Sequence, residues 1–240
     1  MTLICRVSPP SPDSPTLVLL HGIQGTAAAW NEVIAHLPPD LGVVAPNLRG
    51  RAGSYSPDDP GAYRLADFSG DLAGLLEMLA RPVWLCGWSM GVLVALDYLS
   101  GYGKQRVAGL ILASGTACLQ GEAQWFAGET PDEIGREASA RAARLGLKES
   151  AITAAAAGAW LSARDADLRE ILPRIVHPTL VIHGGEDDQC PVHQGRALAE
   201  AIPDARFELW EGGGHNLMKE DTARFAGLVA GFVRSTPRSE

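Results

Sequence analysis

Short apolar segments alternate with longer amphipathic segments along most of the chain. The first apolar segment, Thr16–Leu20, follows a turn rich in proline and serine and ends at a histidine–glycine pair. Strands that are apolar on both faces are typical of a parallel sheet covered by helices on each side. Five further segments are strand candidates: residues 41–45, 83–86, 107–112, 179–182 and 206–210.

The segments between the strand candidates have the period of helices. Apolar residues at spacings of three and four predict one buried stripe on each of two helices. The first stripe consists of Leu65, Phe68, Leu72, Leu75, Leu76 and Leu79, and the last helix carries Phe225, Leu228, Val229 and Phe232. This alternation predicts the α/β class, with a mostly parallel central sheet flanked by helices, and the 240 residues fit one domain.

One stretch, residues 117–172, interrupts the alternation. It is rich in alanine and contains no convincing strand. Thr130 followed by Pro131 and, three residues after the threonine, Glu133 is typical of a capped helix start. We therefore expect a short helical cap inserted between two strands of a domain that spans residues 1–240.

Composition and charge exclude several classes of partner. The net charge is −8 without a long basic run, so no nucleic acid is expected as a partner. No apolar stretch approaches the roughly 20 residues that cross a bilayer, and the first residues do not resemble a secretory signal, so we expect a cytoplasmic protein without a membrane partner. The oligomeric state stays open. The cysteines are scattered and indicate neither a disulfide framework nor a zinc site: Cys5, Cys86, Cys118 and Cys190.

The chemistry centres on Gly87-Trp88-Ser89-Met90-Gly91. A bare G-x-S-x-G motif is weak, but here it follows a short apolar strand and precedes a helical segment. That strand–turn–helix setting is the one a nucleophile elbow requires, because small flanking residues permit a tight turn that exposes the serine. The motif therefore predicts Ser89 as a nucleophile.

A serine hydroxyl needs a base within hydrogen-bond reach, and the order expected is serine, acid, histidine. An acidic loop containing Asp187 and Asp188 follows one strand candidate, and His215 follows the last one on a glycine-rich loop. Active-site residues of open α/β sheets lie at the carboxyl ends of strands, where all these candidates lie. The sequence therefore predicts a triad of Ser89, His215 and an acid from the loop at 187–188.

These motifs, together with His21-Gly22 and the segment 47–51, resemble the α/β-hydrolase superfamily over essentially the whole length. Within it the chain is similar to small esterases that include pimeloyl-carrier methyl esterases and enol-lactonases. The resemblance implies that the acid is Asp187, with Asp188 as the alternative. It also implies an oxyanion hole from the backbone N–H groups of Ile23 and Met90, with His21 supporting the first of these.

The chain departs from the usual family pattern at two places. Asn47 and Ala52 stand where relatives usually have aspartate and glycine, and Val92 follows Gly91 where a second glycine is common. Neither change touches the triad, but both weaken the assignment to a subfamily.

The aromatic residues suggest where a substrate binds. Trp30 is expected to pack in the core, whereas Trp125, Phe126 and Trp160 of the cap, together with Trp88, are predicted to line an apolar acyl or alcohol pocket. The remaining histidines show no ligand spacing, so neither a metal nor another cofactor is expected: His36, His177, His183 and His193.

We therefore expect a serine hydrolase that cleaves a carboxylic ester, lactone or related small acyl substrate through an acyl-enzyme. The alternatives are the same triad used for carbon–carbon bond hydrolysis, perhydrolysis or elimination, and a ligand receptor built on the same fold without turnover. The apolar residues after the elbow disfavour elimination, for which the relatives carry an arginine there. The sequence does not specify the acyl chain length.

Overall fold

The computed structural model describes residues 2–6, 14–120 and 123–236. Its centre is a seven-stranded sheet with the spatial order β1-β3-β2-β4-β5-β6-β7. Strands β2 to β7 are parallel to one another, and β1 pairs with β3 in the antiparallel direction. The strands are β1 (Thr2–Arg6), β2 (Thr16–Leu20), β3 (Gly42–Asn47), β4 (Val83–Trp88), β5 (Val107–Ala113), β6 (Thr179–Gly184) and β7 (Ala205–Trp210).

All six predicted strands are present, with ends that differ by at most two residues, but β1 was not predicted. Its apolar run is only three residues long, and it lies at the edge of the sheet, where burial imposes no continuous apolar pattern. The order of β3, β2 and β4 places a topological switch point between β2 and β4. Ligands of open α/β sheets bind at the carboxyl ends of strands beside such a point.

Helices cover both faces of the sheet. Helices α1 and α8 pack together on one face with Trp30, and Phe225 of α8 lies against that tryptophan. The other face is covered by α2, α3 and α6. The helices are α1 (Asn31–His36), α2 (Leu65–Glu77), α3 (Met90–Gly101), α4 (Pro131–Arg144), α5 (Thr153–Arg164), α6 (Val192–Ala201), α7 (Leu217–Glu220) and α8 (Thr222–Ser235).

The interruption predicted at 117–172 is helical. Between β5 and β6 lie α4, α5 and a short 3-10 helix, Arg169–Arg174. Helix α4 begins as predicted: the Thr130 hydroxyl accepts from the Glu133 N–H, and the Glu133 carboxylate accepts from the Thr130 N–H. None of the helices in the described part of the chain is long and apolar enough to cross a bilayer.

Helix α3 begins directly against the end of β2. A methyl group added at Gly91 would lie 2.3 Å from the carbonyl oxygen of Leu20. Because atoms do not approach that closely, only glycine allows the helix to start at this depth. The packing of α3 therefore fixes the height of its first residue above the sheet.

A buried histidine links the ends of β2 and β3. His21 accepts a hydrogen bond at Nε2 from the Leu48 N–H (3.1 Å), and its Nδ1 lies 2.9 Å from the Gly22 carbonyl oxygen. Burial, and secondarily the charge of Arg51, lowers the pKa of His21 to about 3. The neutral ring therefore carries its proton on Nδ1 and donates it to Gly22.

We expect Gly91→Ala to lower the free energy of unfolding by roughly 2 kcal/mol or more, because the added methyl forces α3 away from β2. Gly101→Ala, at the other end of the same helix, is the matched control, since a methyl there meets nothing within 4 Å. It should be neutral or stabilising by up to about 1 kcal/mol, owing to the helix preference of alanine. Urea denaturation measures the free energy of unfolding of both variants. Equal values for Gly91→Ala and Gly101→Ala would contradict the expected steric clash at Gly91.

We expect His21 to make stability depend on pH. Its folded pKa is about 3, so below the unfolded value of about 6.5 the unfolded chain binds a proton that the folded chain does not. The free energy of unfolding should therefore fall as the pH is lowered from 6.5 towards 3. His21→Gln should be less stable at pH 7.5 and should show a flatter pH dependence, as measured by urea denaturation.

Burial also lowers the pKa of His177 and His183. The free energy of unfolding of His21→Gln should therefore still depend on pH, although less steeply than that of the wild type. An unchanged slope in His21→Gln would show that His21 does not titrate as its burial requires.

Candidate active site

Ser89 lies on a sharp turn between β4 and α3. Its backbone has φ 56° and ψ −121°, in the positive-φ region that residues other than glycine rarely adopt. A methyl group at Gly87 would lie 2.5 Å from the carbonyl oxygen of Gly91, so both small residues of the motif are sterically required. The turn is the strained strand-to-helix geometry predicted for a nucleophile elbow.

The acidic loop after β6 presents Asp187 and not Asp188. The Asp187 side chain is buried, and its Oδ1 accepts from the N–H groups of Gln189 (2.9 Å) and Cys190 (2.8 Å). Asp188 is exposed. The two backbone donors fix the carboxylate on the inner side of the loop.

The loop after β7 carries His215 and packs closely on the acidic loop. A methyl group at Gly184 would lie 2.2 Å from the Gly213 carbonyl oxygen, and the Glu186 N–H donates to that same oxygen. The half-buried Trp88 donates its indole N–H to the His215 carbonyl (2.9 Å), with the two rings 5.5 Å apart. The position of His215 is therefore fixed by both neighbouring loops.

The three loops bring Ser89, His215 and Asp187 into one hydrogen-bonded chain. His215 Nδ1 lies 2.9 and 3.0 Å from the two carboxylate oxygens of Asp187, and Nε2 lies 3.0 Å from Ser89 Oγ. All three residues are buried. With the proton on Nδ1, held by the carboxylate, Nε2 is free to accept the serine proton.

Two opposing effects act on the ionisation of Asp187. Burial raises the pKa of its carboxyl, but the hydrogen bond and charge interaction with His215 and the N–H groups of Cys190 and Gln189 together lower it below its usual value. Asp187 is therefore a carboxylate at neutral pH and can stabilise a positive charge on the imidazole.

The two backbone groups predicted for the oxyanion hole flank the serine. Met90 is the first residue of α3, where helix N–H groups lack a partner within the helix. Ile23 lies on the loop after β2, where a methyl at Gly22 would approach Ser89 Cβ to 3.3 Å. Within the described part of the chain, neither N–H donates to a protein acceptor.

The loop that carries Ile23 is held through its carbonyl groups. The Gly22 carbonyl accepts from the Gly25 N–H and from His21, and the Gln24 carbonyl accepts from the Ala151 N–H of the cap. A hydrogen bond to the Gly22 carbonyl polarises the peptide group whose N–H belongs to Ile23. His21 thus supports this loop, as the resemblance implied.

The cap aromatics lie together. Trp160 has its ring 5.6 Å from that of Trp125 and 6.2 Å from that of Phe126, and all three side chains are buried. Trp125 donates its indole N–H to the carbonyl oxygen of Gln189 in the acidic loop (3.1 Å). The cluster therefore packs beside the acidic loop, and its contact with a substrate, like that of Trp88, stays a prediction.

Sequence reasoning missed two neighbours of the acid. His183 was given no chemical role, yet it is buried 3.6 Å from Asp187 and donates from Nε2 to the Cys190 carbonyl. Gln189 joins the cap to the acidic loop, because its side-chain oxygen accepts from Arg141 of α4 (2.7 Å). The signal for His183 was its place directly before the glycine of the acidic loop, whereas nothing in the pattern indicated Gln189.

A cleft of about 840 Å³ lies elsewhere, between α5 and α2. Its walls include Arg64 and Asp97 on the sheet side and Ser162 and Asp165 on the cap side. None of the three hydrogen-bonded residues lines this cleft. The hydrogen-bonded chain therefore lies apart from this cleft.

Comparison with known proteins agrees with this architecture. A model of the alpha/beta hydrolase family matches residues 17–228. The chain is 28% identical over 255 residues to a pimeloyl-[acyl-carrier protein] methyl ester esterase of Aromatoleum aromaticum, covering 92% of this chain and 98% of that protein. It is 30% identical over 223 residues to 3-oxoadipate enol-lactonase 2 of Acinetobacter baylyi, covering 83% and 81%.

Among solved structures, the chain is similar to the esterase RhEst1 from Rhodococcus sp. ECU1013. The TM-score is 0.81 at 28% identity, with 98% of this chain and 95% of that chain covered. The family match extends over most of the sequence and includes all three residues of the hydrogen-bonded chain. The protein is a hydrolase that belongs to the alpha/beta hydrolase family.

Proposed function

We propose that this hydrolase cleaves a carboxylic ester or lactone, with Ser89 as nucleophile, His215 as general base and Asp187 as the orienting acid. The observation that carries the proposal is the 3.0 Å contact between Ser89 Oγ and His215 Nε2, with Asp187 on the opposite ring nitrogen. This order of groups supplies what a serine hydroxyl needs to attack a carbonyl near neutral pH.

In the first half of the proposed reaction, Ser89 Oγ bonds to the carbonyl carbon while its proton passes to His215 Nε2. The resulting imidazolium is stabilised by the carboxylate of Asp187, which itself stays ionised. When the tetrahedral intermediate collapses, the carbon–oxygen bond breaks and the alcohol leaves with the proton from His215. An acyl group then remains on Ser89.

In the second half, water attacks the acyl-enzyme with His215 again accepting the proton. A second tetrahedral intermediate collapses, the acid is released, and Ser89 recovers its proton. The N–H groups of Ile23 and Met90 are proposed to bind the carbonyl oxygen in both intermediates, each donor contributing on the order of 3 kcal/mol.

The names of two relatives support the proposed substrate class. One is named a methyl ester esterase and another an enol-lactonase, and both of these substrates have a carbonyl carbon bonded to an ester oxygen. The buried aromatic cluster of Trp125, Phe126 and Trp160 beside the acidic loop supports an apolar acyl or alcohol group on this substrate.

A fluorophosphonate probe tests the nucleophile. We expect one covalent adduct on the wild type, detected by intact mass, and none on Ser89→Ala. Ser114→Ala is the matched control, because Ser114 is also buried, also has a positive φ (45°) and follows the neighbouring strand β5. It should be labelled at the wild-type rate. Hydrolysis of p-nitrophenyl esters and simple lactones should fall by about 10⁴-fold or more in Ser89→Ala.

A folded wild type that takes no adduct would contradict the proposed nucleophile. An adduct on Ser89 without turnover of any ester or lactone would support Ser89 as the nucleophile. It would contradict the proposal that the bond cleaved is an ester or lactone bond.

A further inference from the structure

Within the described residues, Arg51 is a buried cation without a carboxylate partner. Its side chain is fully buried, Nη1 donates to the Arg49 carbonyl (2.6 Å), and Nη2 donates to the Ile23 carbonyl. The guanidinium lies over the ring of Phe68 at 5.3 Å, and its Nε has no partner. Arg51 forms no ion pair with another described residue, whereas Arg49 pairs with Asp71 at 2.8 Å.

A buried charge of this kind is costly, because two carbonyl groups and an aromatic ring replace only part of the hydration that the guanidinium loses. Burial lowers the pKa of Arg51 to about 9, so the guanidinium still carries its charge at pH 7. A neutral side chain of similar length would pack at this position without that cost. The charge of Arg51 can therefore stabilise negative charge that develops close to it.

The position of Arg51 indicates which negative charge it can stabilise. The carbonyl to which it donates belongs to Ile23, whose own N–H is one of the two groups proposed to bind the oxyanion. On this loop the Gly22 carbonyl is held by the neutral His21, and the Ile23 carbonyl is held by the charged Arg51. The carbonyl oxygen of an ester gains negative charge only during the reaction.

We propose that Arg51 is a positioning residue for catalysis, which holds the Ile23 loop and places an uncompensated positive charge behind the oxyanion. This inference rests on the proposed function. In a buried site a fixed charge acts strongly, and it favours the anionic transition state over the neutral ester. Arg51 should therefore raise kcat and leave KM almost unchanged.

Two variants separate the charge from the hydrogen bonds. Arg51→Lys keeps a charge with a different geometry, and Arg51→Gln keeps a neutral N–H donor without a charge. With p-nitrophenyl butyrate we expect kcat to fall about tenfold in Arg51→Gln, less than the 10²–10³ typical of losing a direct donor. Arg51→Lys should stay within about threefold of the wild type, and KM should change less than twofold in both.

Equal kcat values for Arg51→Gln and the wild type, or for Arg51→Gln and Arg51→Lys, would overturn the role of the charge. Thermal unfolding establishes that each variant is folded. If Arg51→Gln does not fold, Arg51→Met replaces it, because methionine also packs on Phe68 without a charge. If neither neutral variant folds while Arg51→Lys does, the charge serves folding and the catalytic role is wrong.

The rate of fluorophosphonate labelling of Ser89 compares the Arg51 variants with the wild type without an ester substrate. Attack at phosphorus also places negative charge on an oxygen in the proposed oxyanion hole. A wild type that is neither labelled nor active would contradict the proposed function itself. A labelled wild type with Arg51→Gln labelled equally fast would contradict only the role of Arg51.

Discussion

The structure depends on the steric constraint at the turn between β4 and α3. Gly87 and Gly91 bring backbone atoms so close together that no side chain fits at either position, and the residue between them, Ser89, takes a positive φ. This turn places the serine hydroxyl above the carboxyl end of the sheet and leaves the Met90 N–H without a helical partner. The proposed nucleophile and one proposed oxyanion donor therefore arise from the same local geometry.

Close backbone contacts also fix the partners of the serine. The loops that carry Asp187 and His215 touch through Gly184 and the Gly213 carbonyl, so neither loop can shift alone. Trp88, next to the serine, binds the His215 carbonyl, and Gln189 joins the acidic loop to the cap. The site is thus held by hydrogen bonds to the backbone, which explains how three separate loops keep a histidine within 3.0 Å of two side chains.

The sequence predicted those parts of the molecule that depend on local pattern. Six strands, the helix start at Thr130 and the meeting of Ser89, His215 and an acid from the loop at 187–188 followed from apolar runs, capping residues and loop position, whereas the choice of Asp187 rested on the family resemblance. The edge strand Thr2–Arg6 did not, because its pairing with β3 is set by tertiary contact. The surroundings of Arg51 were equally hidden, since nothing in a linear motif shows that an arginine is buried without a carboxylate partner among the described residues.

The proposed mechanism requires Ser89 to become acylated during turnover. Rapid mixing of the wild type with p-nitrophenyl acetate, followed by an acid quench and intact mass measurement, tests this requirement. We expect a burst of p-nitrophenol that matches the appearance of one acetyl group, located at Ser89 by peptide mapping. Turnover without an acylated enzyme at any time, or acylation at a different residue, would contradict it.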